Sequence, residues 1–340
     1  KFQKETRWKV PKGSDLVALN YDEKKELIAN INEKRFKKLC ELMFELENKG
    51  DVHKLNYEFF YGTPAYLVNP QQRQSIKAVV FGVIYGMSAI TLAEDLKIPV
   101  SEAEGIVNKM FEKFPLGGKW INHCKENGKL TCQVRSPLGR IRHLDGFRHP
   151  SYSVVSAMER KGPNSCIQGF ASDIGFMAGK ILYDLCWHWF WKHGVNFEFS
   201  YNNVVHDSTE CECRIKHIPI AAYMIEHAYT TLVHLRCRDL YGLELVCGYE
   251  IEMDIGGSYS HMDTYENFVN MEKILREQIE WTKENIPNWT MEENELEDAL
   301  YNYHLIQKYR REELKQTAGK KVDYIMLLNE DNIRNIGLRL

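Results

Sequence analysis

The chain has 340 residues, of which 44% are hydrophobic and 27% are charged, and this composition excludes wholesale disorder. Its formal net charge of −3 argues against indiscriminate binding to nucleic acid. No stretch approaches the roughly 18 apolar residues that a membrane helix requires, so we expect no membrane partner. Nine cysteines without a CxxC pair favour a reduced, cytoplasmic protein over a disulfide scaffold or a zinc ribbon.

Helices and a few strands alternate along the predicted secondary structure. Apolar periodicity and capping residues predict a strand over 14–19, helices over 23–49, 71–85, 100–114 and 153–193, strands over 197–205, 208–214 and 249–255, and helical structure over 265–318. We expect Gly86 to end the second helix in a left-handed conformation and Ser101 to cap the third. Pro163 should bend the long helix, and Pro287 should interrupt the last one.

Charge is distributed unevenly between the middle of the chain and its last third. Eight Lys or Arg face three acidic residues between 124 and 161, whereas eleven acidic residues face three basic ones between 263 and 307. A basic stretch attracts a phosphate backbone and an acidic one repels it, so a bound polymer should lie over the middle of the chain. Two ordinary solvated faces are the simpler alternative.

Two cations and two aromatic residues recur at a spacing of four in the predicted helix over 71–85. Arg73, Lys77, Phe81 and Tyr85 drift by only about 40° per step, so they line one stripe. A triphosphate joined to a flat base matches that order, because cations bind phosphates and aromatic rings stack on bases. The alternative is an amphipathic helix that buries both rings while its cations reach solvent.

An apolar strand leads into a carboxylate at a predicted tight turn. Val204 and Val205 precede His206 and Asp207, and a strand that ends in this way holds the carboxylate rigidly. Two-metal phosphoryl chemistry needs a carboxylate held like this. For the His-Asp pair alone, a turn aspartate that bonds its own backbone is the favoured alternative.

Three hydrogen-bonding side chains follow each other on the long predicted helix. Arg160, Asn164 and Gln168 are again four residues apart. Every base pair presents acceptors in the minor groove, so such a row can contact a duplex without reading its sequence. An exposed polar stripe without a partner is the alternative.

In this order, the three groups resemble the signatures of the family A DNA polymerases, the group of bacterial DNA polymerase I and many phage replicases. Residues 73–86 resemble motif B of the fingers, and 205–207 resemble motif C of the palm. Further similarities lie at 50–53, 136–142, 167–169 and 250–256. The resemblance covers residues 10 to 262 and implies an α+β fold, in which helical fingers are inserted into an antiparallel palm sheet.

The resemblance assigns the motif B residues to the incoming nucleotide, a dNTP. Arg73 and Lys77 would hold its triphosphate. Phe81 would pack on its sugar and base. Tyr85 would lie near the templating base and help to check the new pair.

The resemblance also implies a metal site and a DNA interface. Asp207 would bind catalytic Mg²⁺, one of two ions, and His206 would lie near the primer terminus. Primer–template DNA would contact the following residues: Arg160, Asn164, Gln168, Arg140, Arg142 and His206. The implied reaction is in-line attack of the primer 3′-hydroxyl on the α-phosphate, assisted by two metal ions.

Motif A departs from the family pattern in this chain. The family has an aspartate followed by tyrosine at the end of a buried strand, whereas Asn20 precedes Tyr21 here. Asparagine offers one weak carbonyl ligand in place of an anion that bridges two divalent cations. Asp22 is the nearest carboxylate, so we expect Asp207, Asp22 and Asn20 as candidate metal ligands, with Asp22 also a catalytic candidate. Lys25 stands where the family has a glutamate that screens against ribose.

The resemblance divides the chain into a palm segment over 1–27, fingers over 28–195, palm over 196–262 and a helical C-terminal extension over 263–340. The family's exonuclease-like domain, thumb and first part of the palm have no counterpart before motif A. We therefore expect a split polymerase of the phage type, with a second polypeptide that carries these parts. A truncated or proteolysed fragment is the lesser alternative. We expect the extension to dock to that partner or to another replication protein.

Two other functions stay open from the sequence. A non-catalytic subunit that positions DNA would explain Asn20. A nucleotide-binding regulator would explain the stripe from Arg73 to Tyr85 but not the row from Arg160 to Gln168. The intact stripe favours a template-directed DNA polymerase subunit, because a scaffold has little use for a triphosphate site.

Overall fold

The computed structural model describes residues 51–249, 251–266, 269–317 and 328–340, which fall into two compact units. The first unit comprises the described residues up to 135 together with 141–167. The second comprises 136–140 together with the described residues from 168 onward. The predicted strand over 14–19 and helix over 23–49 lie outside the described residues, as do Asn20 and Asp22.

The first unit consists of helices and one short hairpin. Its helices are α1 (Val52–Tyr61), α2 (Pro70–Ile84), α3 (Ala89–Leu96), α4 (Val100–Lys113), α5 (Pro115–Thr131) and the first part of α6 (Tyr152–Trp189). Strands β1 (Gln133–Arg135) and β2 (Ile141–His143) pair in antiparallel fashion. Short 3₁₀ turns occupy Ala65–Leu67 and Asp145–Arg148.

The core of the first unit is built from one face of each of its first four helices. The buried residues recur at helical spacing, which removes one stripe of each helix from water. They are Phe60, Ile76, Val79, Val80, Val83, Leu92, Ala93, Ala103, Ile106 and Met110. A smaller cluster beside the hairpin contains Cys124, Val134, Leu144 and Cys166.

The second unit combines two hairpins with six helices or helix segments in its described part. Its elements are the rest of α6, β3 (Phe199–Val205), β4 (Ser208–Cys213), α7 (Ile218–His227), α8 (Val233–Tyr241), β5 (Asp254–Ser258), β6 (His261–Thr264), α9 (Met271–Asn285), α10 (Glu295–Thr317) and α11 (Glu330–Ile333). A π-helical turn over Ala228–Leu232 joins α7 to α8. Further 3₁₀ turns occupy Trp191–His193 and Ile215–His217.

One hydrophobic core runs through the second unit and includes the C-terminal extension. Residues of α6 and α7 pack in the same cluster as residues of α9, α10 and α11. Fully buried members include Leu182, Phe190, Ile220, Met224, Met271, Ala299, Ile306 and Ile333. The extension is therefore part of the core that supports α6 and α7.

The α+β fold class is confirmed, since the described residues combine these helices with three separate two-stranded antiparallel sheets. The predicted helices over 71–85 and 100–114 differ from α2 and α4 by one residue at their ends. The long predicted helix corresponds to α6, which continues through Pro163. No helix in the described ranges is long and apolar enough to cross a membrane.

Three local predictions were wrong. Pro99, rather than Ser101, occupies the N-cap of α4. The strand predicted over 249–255 begins only at Asp254, because its partner β6 offers pairing positions only from His261 to Thr264. The helical structure predicted from 265 begins at Met271, after the β5–β6 hairpin.

Candidate functional site

Local sequence explains why α2 begins where it does. The side chain of Asn69 accepts a hydrogen bond from the backbone N–H of Gln72 at 2.8 Å, and the side chain of Gln72 accepts one from the backbone N–H of Asn69 at 3.0 Å. This reciprocal pair satisfies donors that the first turn leaves free, and Pro70 occupies a position that needs no donor. The helix start is thus firmly defined.

The predicted stripe lies at the surface, beside the face of α2 that packs in the core. Ile76, Val79, Val80 and Val83 are buried, which places the positions of the stripe on another side of the helix. Phe81 remains 36% exposed, so the helix does not bury this ring in the core. The alternative of an amphipathic helix that buries both rings therefore fails for Phe81.

A carboxylate fixes the first cation of the stripe. Asp51 Oδ2 accepts a hydrogen bond from Arg73 Nε at 2.7 Å, while Asp51 Oδ1 accepts from the backbone N–H groups of His53 and Lys54 at 3.0 and 3.1 Å. Asp51 thus caps α1 and ties it to α2. Burial acts to raise the pKa of Asp51, but the Arg73 hydrogen bond and the backbone donors outweigh it and hold that pKa below its usual value.

Sequence reasoning missed the role of Asp51. Residues 50–53 are a family signature, but their sequence does not show that the carboxylate reaches a residue 22 positions away. The available signal was an aspartate directly before a helix, which is typical of an N-cap. The Arg73 contact required the packing of α1 on α2.

A row of rings continues from the cations along the same surface. The Phe81 and Tyr85 rings stack with centroids 5.8 Å apart at 19°, and the Lys77 Nζ atom lies 5.9 Å from the Phe81 ring centroid. The His53 ring lies 5.7 Å from Phe81. Burial, followed by the positive charge of Arg73, lowers the pKa of His53, which favours the neutral imidazole at pH 7.

The stripe keeps positive charge that no neighbouring group neutralises. Asp51 pairs with Arg73, whereas Lys77 has no carboxylate partner among the residues that the structure describes. Both terminal nitrogens of Arg73 are likewise without a hydrogen-bond acceptor in the described ranges. The surface therefore presents hydrogen-bond donors and charge at one end and flat rings at the other, which suits a phosphorylated aromatic ligand.

The end of α2 lies directly against α6. Gly86 has a φ of +83°, which confirms the predicted left-handed end. A Cβ atom at this position would lie 3.5 Å from the Cα atom of Arg160 and 3.6 Å from the backbone oxygen of Glu159. Pro163 has no N–H to donate to that oxygen, so the carbonyl faces Gly86 without its usual helical partner.

The row of DNA-contact candidates on α6 is divided between the two units. Arg160 is partly buried and its Nη1 atom donates to Ser156 Oγ at 3.0 Å. The Oδ1 atom of Asn164 is buried and has no hydrogen-bond partner within the described residues. Gln168 is exposed on the continuation of the same helix in the second unit. Arg160 and Asn164 are thus the pair that the structure places in one unit.

The two further arginines have different surroundings. Arg140 forms an ion pair with Asp173, which also accepts a hydrogen bond from Ser136 Oγ at 3.0 Å. This pairing neutralises the charge of Arg140 and fixes the loop that carries it. Arg142 is exposed on β2 and has no carboxylate partner in the part of the chain that is described.

The hairpin of β3 and β4 places His206 and Asp207 at its tip. Val205 pairs with Ser208, so His206 and Asp207 alone form the connection between the two strands. His206 adopts a left-handed φ of +58°, and both side chains are exposed. The sequence prediction of a carboxylate at a tight turn is confirmed in its geometry.

Tyrosines hold the base of this hairpin in place. A Cβ atom added to Gly179 of α6 would lie 2.7 Å from the hydroxyl of Tyr201, so the ring packs tightly on the helix. The Tyr229 hydroxyl lies 2.7 Å from Thr209 Oγ1 and 3.4 Å from the Tyr201 hydroxyl. Burial raises the pKa of Tyr229. The tip therefore projects from a supported base.

The described residues contain one candidate ligand for a metal ion. They contain no group of three or more His, Cys, Asp or Glu side chains that could together hold a metal ion. Asp207 has no ion-pair partner in these ranges, and its carboxylate oxygens are the hard ligands that Mg²⁺ prefers. The donor chemistry of Asp207 therefore fits such an ion as a single ligand, while Asn20 and Asp22 lie outside the described residues.

The comparison with protein families identifies the class of the molecule. The family model "DNA polymerase family A" matches residues 25–256, which include the α2 stripe and the β3–β4 hairpin. Because this match covers more than half of the chain, the chain belongs to DNA polymerase family A. The resemblance inferred from the motifs is thereby confirmed.

Individual relatives match over shorter segments. The thermostable DNA polymerase I of Thermus aquaticus is 35% identical over 124 residues, which are 36% of this chain and 15% of the relative. The DNA polymerase I of Caldicellulosiruptor bescii is 29% identical over 48% of this chain and 19% of its own length. The DNA polymerase of Bacillus phage SP01 is 28% identical over 54% of this chain and 20% of its own length.

A solved structure shows partial similarity as well. The POL domain of Pol1 from M. smegmatis, in complex with a DNA primer-template and dNTP, is 24% identical with a TM-score of 0.47. The match covers 53% of this chain and 31% of that chain. This chain thus spans no more than a third of the relatives described here.

Proposed function

We propose that this chain forms the nucleotide-binding and motif C part of a template-directed DNA polymerase, which adds dNTPs to the 3′-hydroxyl of a primer. The observation that carries the proposal is the surface stripe of partly buried Arg73, Lys77 and Tyr85 with exposed Phe81, in a chain of family A. The names of its relatives, DNA polymerase I and a phage DNA polymerase, support the same activity.

The first unit would bind and orient the nucleotide. Arg73, whose Nε atom is held by Asp51, keeps its terminal nitrogens for the triphosphate, and Lys77 adds a second charge. Phe81 would pack on the sugar and base. Tyr85, stacked on Phe81, would lie beside the new base pair.

The second unit would supply a ligand for the metal ions that assist the reaction. Asp207 would hold Mg²⁺ through its carboxylate, with Asp22 and Asn20 as the other candidates. When bound, Mg²⁺ supplies positive charge to the attacking and leaving oxygens. His206 would lie near the primer terminus, whose 3′-oxygen bonds to the α-phosphorus while pyrophosphate leaves.

Primer–template DNA would contact side chains from both units. Arg160 and Asn164 offer donors on α6 in the first unit, and Gln168 follows them in the second. Arg142 is free to reach a phosphate, whereas Arg140 would first have to leave Asp173. We therefore rank Arg142 above Arg140 as a phosphate contact.

A second polypeptide that carries the thumb and exonuclease-like parts stays a prediction. Co-purification of a second phage-type polypeptide with this chain would support a split enzyme.

A non-catalytic polymerase-like subunit is the second candidate function. Asn20 favours it, because a neutral amide replaces the motif A carboxylate. Such a subunit would bind primer–template and nucleotide without joining them.

Primer extension in Mg²⁺ tests the proposal, with this chain alone and together with any co-purified polypeptide. We expect Lys77→Ala to raise the KM for dNTP by about 10- to 100-fold, because a charge-assisted hydrogen bond is lost. The DNA affinity should change by less than about twofold, and the exposed Lys109→Ala should behave as the wild type.

Other outcomes of this experiment are equally informative. An equal loss of nucleotide and DNA affinity would assign Lys77 to the DNA backbone. A complex that binds primer–template and dNTP but never extends the primer would refute the enzyme and support the non-catalytic subunit.

A further inference from the structure

Helix α10 has a basic side that faces away from the core of the second unit. Its core side carries Asn302, Ile306 and Glu313, which are at most 1% exposed. At about 100° per residue, positions 304, 308, 311 and 315 fall within an arc of about 60° on the opposite side of the helix. This arc carries His304, Lys308, Arg311 and Lys315, which we call the α10 basic stripe.

Most other basic side chains of the extension form ion pairs with carboxylates, whereas the basic side chains of the stripe form none with the described residues. Carboxylates pair with four of those other side chains: Lys273 with Glu277, Arg276 with Glu272, Arg310 with Glu226, and Arg339 with Asp298. Lys308, Arg311 and Lys315 have no carboxylate partner within the described ranges, although Arg311 donates to Gln307 Oε1 at 3.3 Å. The positive charge of the stripe is therefore available to another molecule.

The stripe lines an open groove of about 470 Å³ on the surface of α10. Glu312 is the one carboxylate among its lining side chains. Three cations thus outweigh one anion, and the groove is complementary in charge to a polyanion.

We propose that the α10 basic stripe binds the phosphate backbone of DNA. From Lys308 to Lys315 the helix rises by about 10.5 Å, a length over which one strand of B-DNA advances by about three nucleotides along the duplex axis at about 3.4 Å each. The stripe lies beyond residue 256, where the family match ends, so it is an addition to the DNA contacts of motifs B and C. That the ligand is DNA rests on the proposed function.

The opposite face of α10 holds the stripe in position. The Tyr223 hydroxyl donates to Glu313 Oε1 at 2.5 Å, and His227 Nε2 lies 3.2 Å from Glu313 Oε2. Arg310 adds an ion pair with Glu226 at the edge of this contact. A helix anchored in this way presents its cations without further ordering, which lowers the entropic cost of binding.

The test measures binding of the full chain to a short DNA duplex as a function of salt. A triple variant changes Lys308, Arg311 and Lys315 to Gln, and a control triple variant changes Lys273, Arg276 and Lys283 of α9 to Gln. The two variants lose the same charge, and the exposed pairs of α9 contribute little to stability. Thermal unfolding checks that both variants are folded.

We expect the stripe variant to reduce the slope of log K against log salt by about two to three, since each phosphate contact contributes about 0.9. At about 50 mM salt its affinity should be about tenfold or more below that of the wild type, and this difference should shrink toward about 200 mM salt, whereas the control should stay near the wild type at both concentrations. Glu312→Gln should tighten binding by about two- to threefold, because it removes the one repulsive charge.

Equal slopes for the stripe variant, the control and the wild type would overturn the proposal. Loss of binding to an acidic protein with unchanged DNA binding would overturn it too, and would make the stripe a protein-docking surface. Failure of the proposed function is a separate result, namely wild-type chain that binds DNA but, even together with any co-purified polypeptide, does not extend a primer at saturating DNA and dNTP.

Discussion

The two units of the chain hold their candidate site residues in different ways. In the first, the stripe of α2 lies on a single helix, and a carboxylate of the same unit already pairs with one of its cations. In the second, Asp207 stands exposed at a hairpin tip without an ion-pair partner in the described residues. The support of that unit instead comes from a core that includes the far end of the chain. The candidate binding surface of the first unit thus comes from one helix and a nearby carboxylate. The hairpin that carries Asp207 instead belongs to a unit whose core is completed by residues distant in sequence.

The largest effect should come from the hairpin tip. Asp207→Ala should reduce primer extension by about a thousandfold or more, because a ligand of the metal ions is lost. DNA affinity should stay within about twofold of the wild type, since an exposed carboxylate contributes nothing favourable to phosphate binding. Single-turnover extension and duplex binding measure the two quantities.

Glu212→Ala is the matched control, because Glu212 is an exposed carboxylate on β4 of the same hairpin. Wild-type extension by Asp207→Ala would show that the metal ligand has been assigned to the wrong residue.

The second effect concerns the core contributed by the extension. Glu313→Ala should lower the free energy of unfolding by about 3 kcal/mol, because it leaves the buried Tyr223 hydroxyl and His227 without their carboxylate partner. Chemical denaturation measures this change. The exposed neighbouring Glu312→Ala should change it by less than about 0.5 kcal/mol.

Equal stabilities for these two variants would mean that the extension is not an integral part of the second unit. The contrast between a locally built first unit and a second unit completed from far along the chain would then disappear.

The third effect tests how α2 is seated. Gly86→Ala should destabilise the first unit by about 1–2 kcal/mol, because φ is +83° and the added methyl group approaches the backbone of α6. Gly105→Ala in α4 is a matched control with open space around it, and it should stabilise the helix by about 0.5–1 kcal/mol. Thermal unfolding of both variants checks the opposite signs. Two shifts of the same sign would contradict the close contact.

The smallest effect separates the two roles of Asp51. Asp51→Asn keeps an N-cap of equal quality but loses the charge that faces Arg73, so stability at pH 7 should fall by less than about 1 kcal/mol. The KM for dNTP should rise severalfold, because Arg73 is no longer held. Steady-state kinetics and unfolding measure the two changes.

The pH dependence of stability gives a second test of Asp51. Its pKa is lowered in the folded chain, so its contribution is present above the usual value near 3.8 and is lost as the pH falls through the lowered folded value. Asp51→Asn should remove this part of the acid dependence. An unchanged acid profile would show that Arg73 and Asp51 are not paired in solution.

Sequence spacing predicted the features that depend on one helix or one turn. The stripe from Arg73 to Tyr85 follows from a spacing of four on a helix, and the tip of His206 and Asp207 follows from two predicted strands that meet there. Contacts between elements were beyond this reasoning. Neither the pairing of Asp51 with Arg73 nor that of Arg140 with Asp173 has a periodic signature, because the first depends on how α1 packs on α2 and the second on how the β1–β2 loop lies against α6.

The extension shows the same limit on a larger scale. Its position beyond the family resemblance and its excess of acidic residues gave no sign of a core role, whereas Met271, Ala299, Ile306 and Ile333 are buried with residues of α6 and α7. Net charge describes the solvated side of a helix and says little about its buried side. Whether the extension also docks to a partner stays a prediction.

Helix α2 is tied to its neighbours at both ends, and this restricts how it can move. Asp51 links its first turn to α1, and Gly86 seats its last residues on the backbone of α6. Sliding of α2 along its own axis would break the first link, at a cost of less than about 1 kcal/mol for a partly exposed ion pair. Rotation of α1 and α2 together leaves that link intact. Thermal motion of the stripe from Arg73 to Tyr85 should therefore be collective, with the contact of Gly86 with α6 as its pivot.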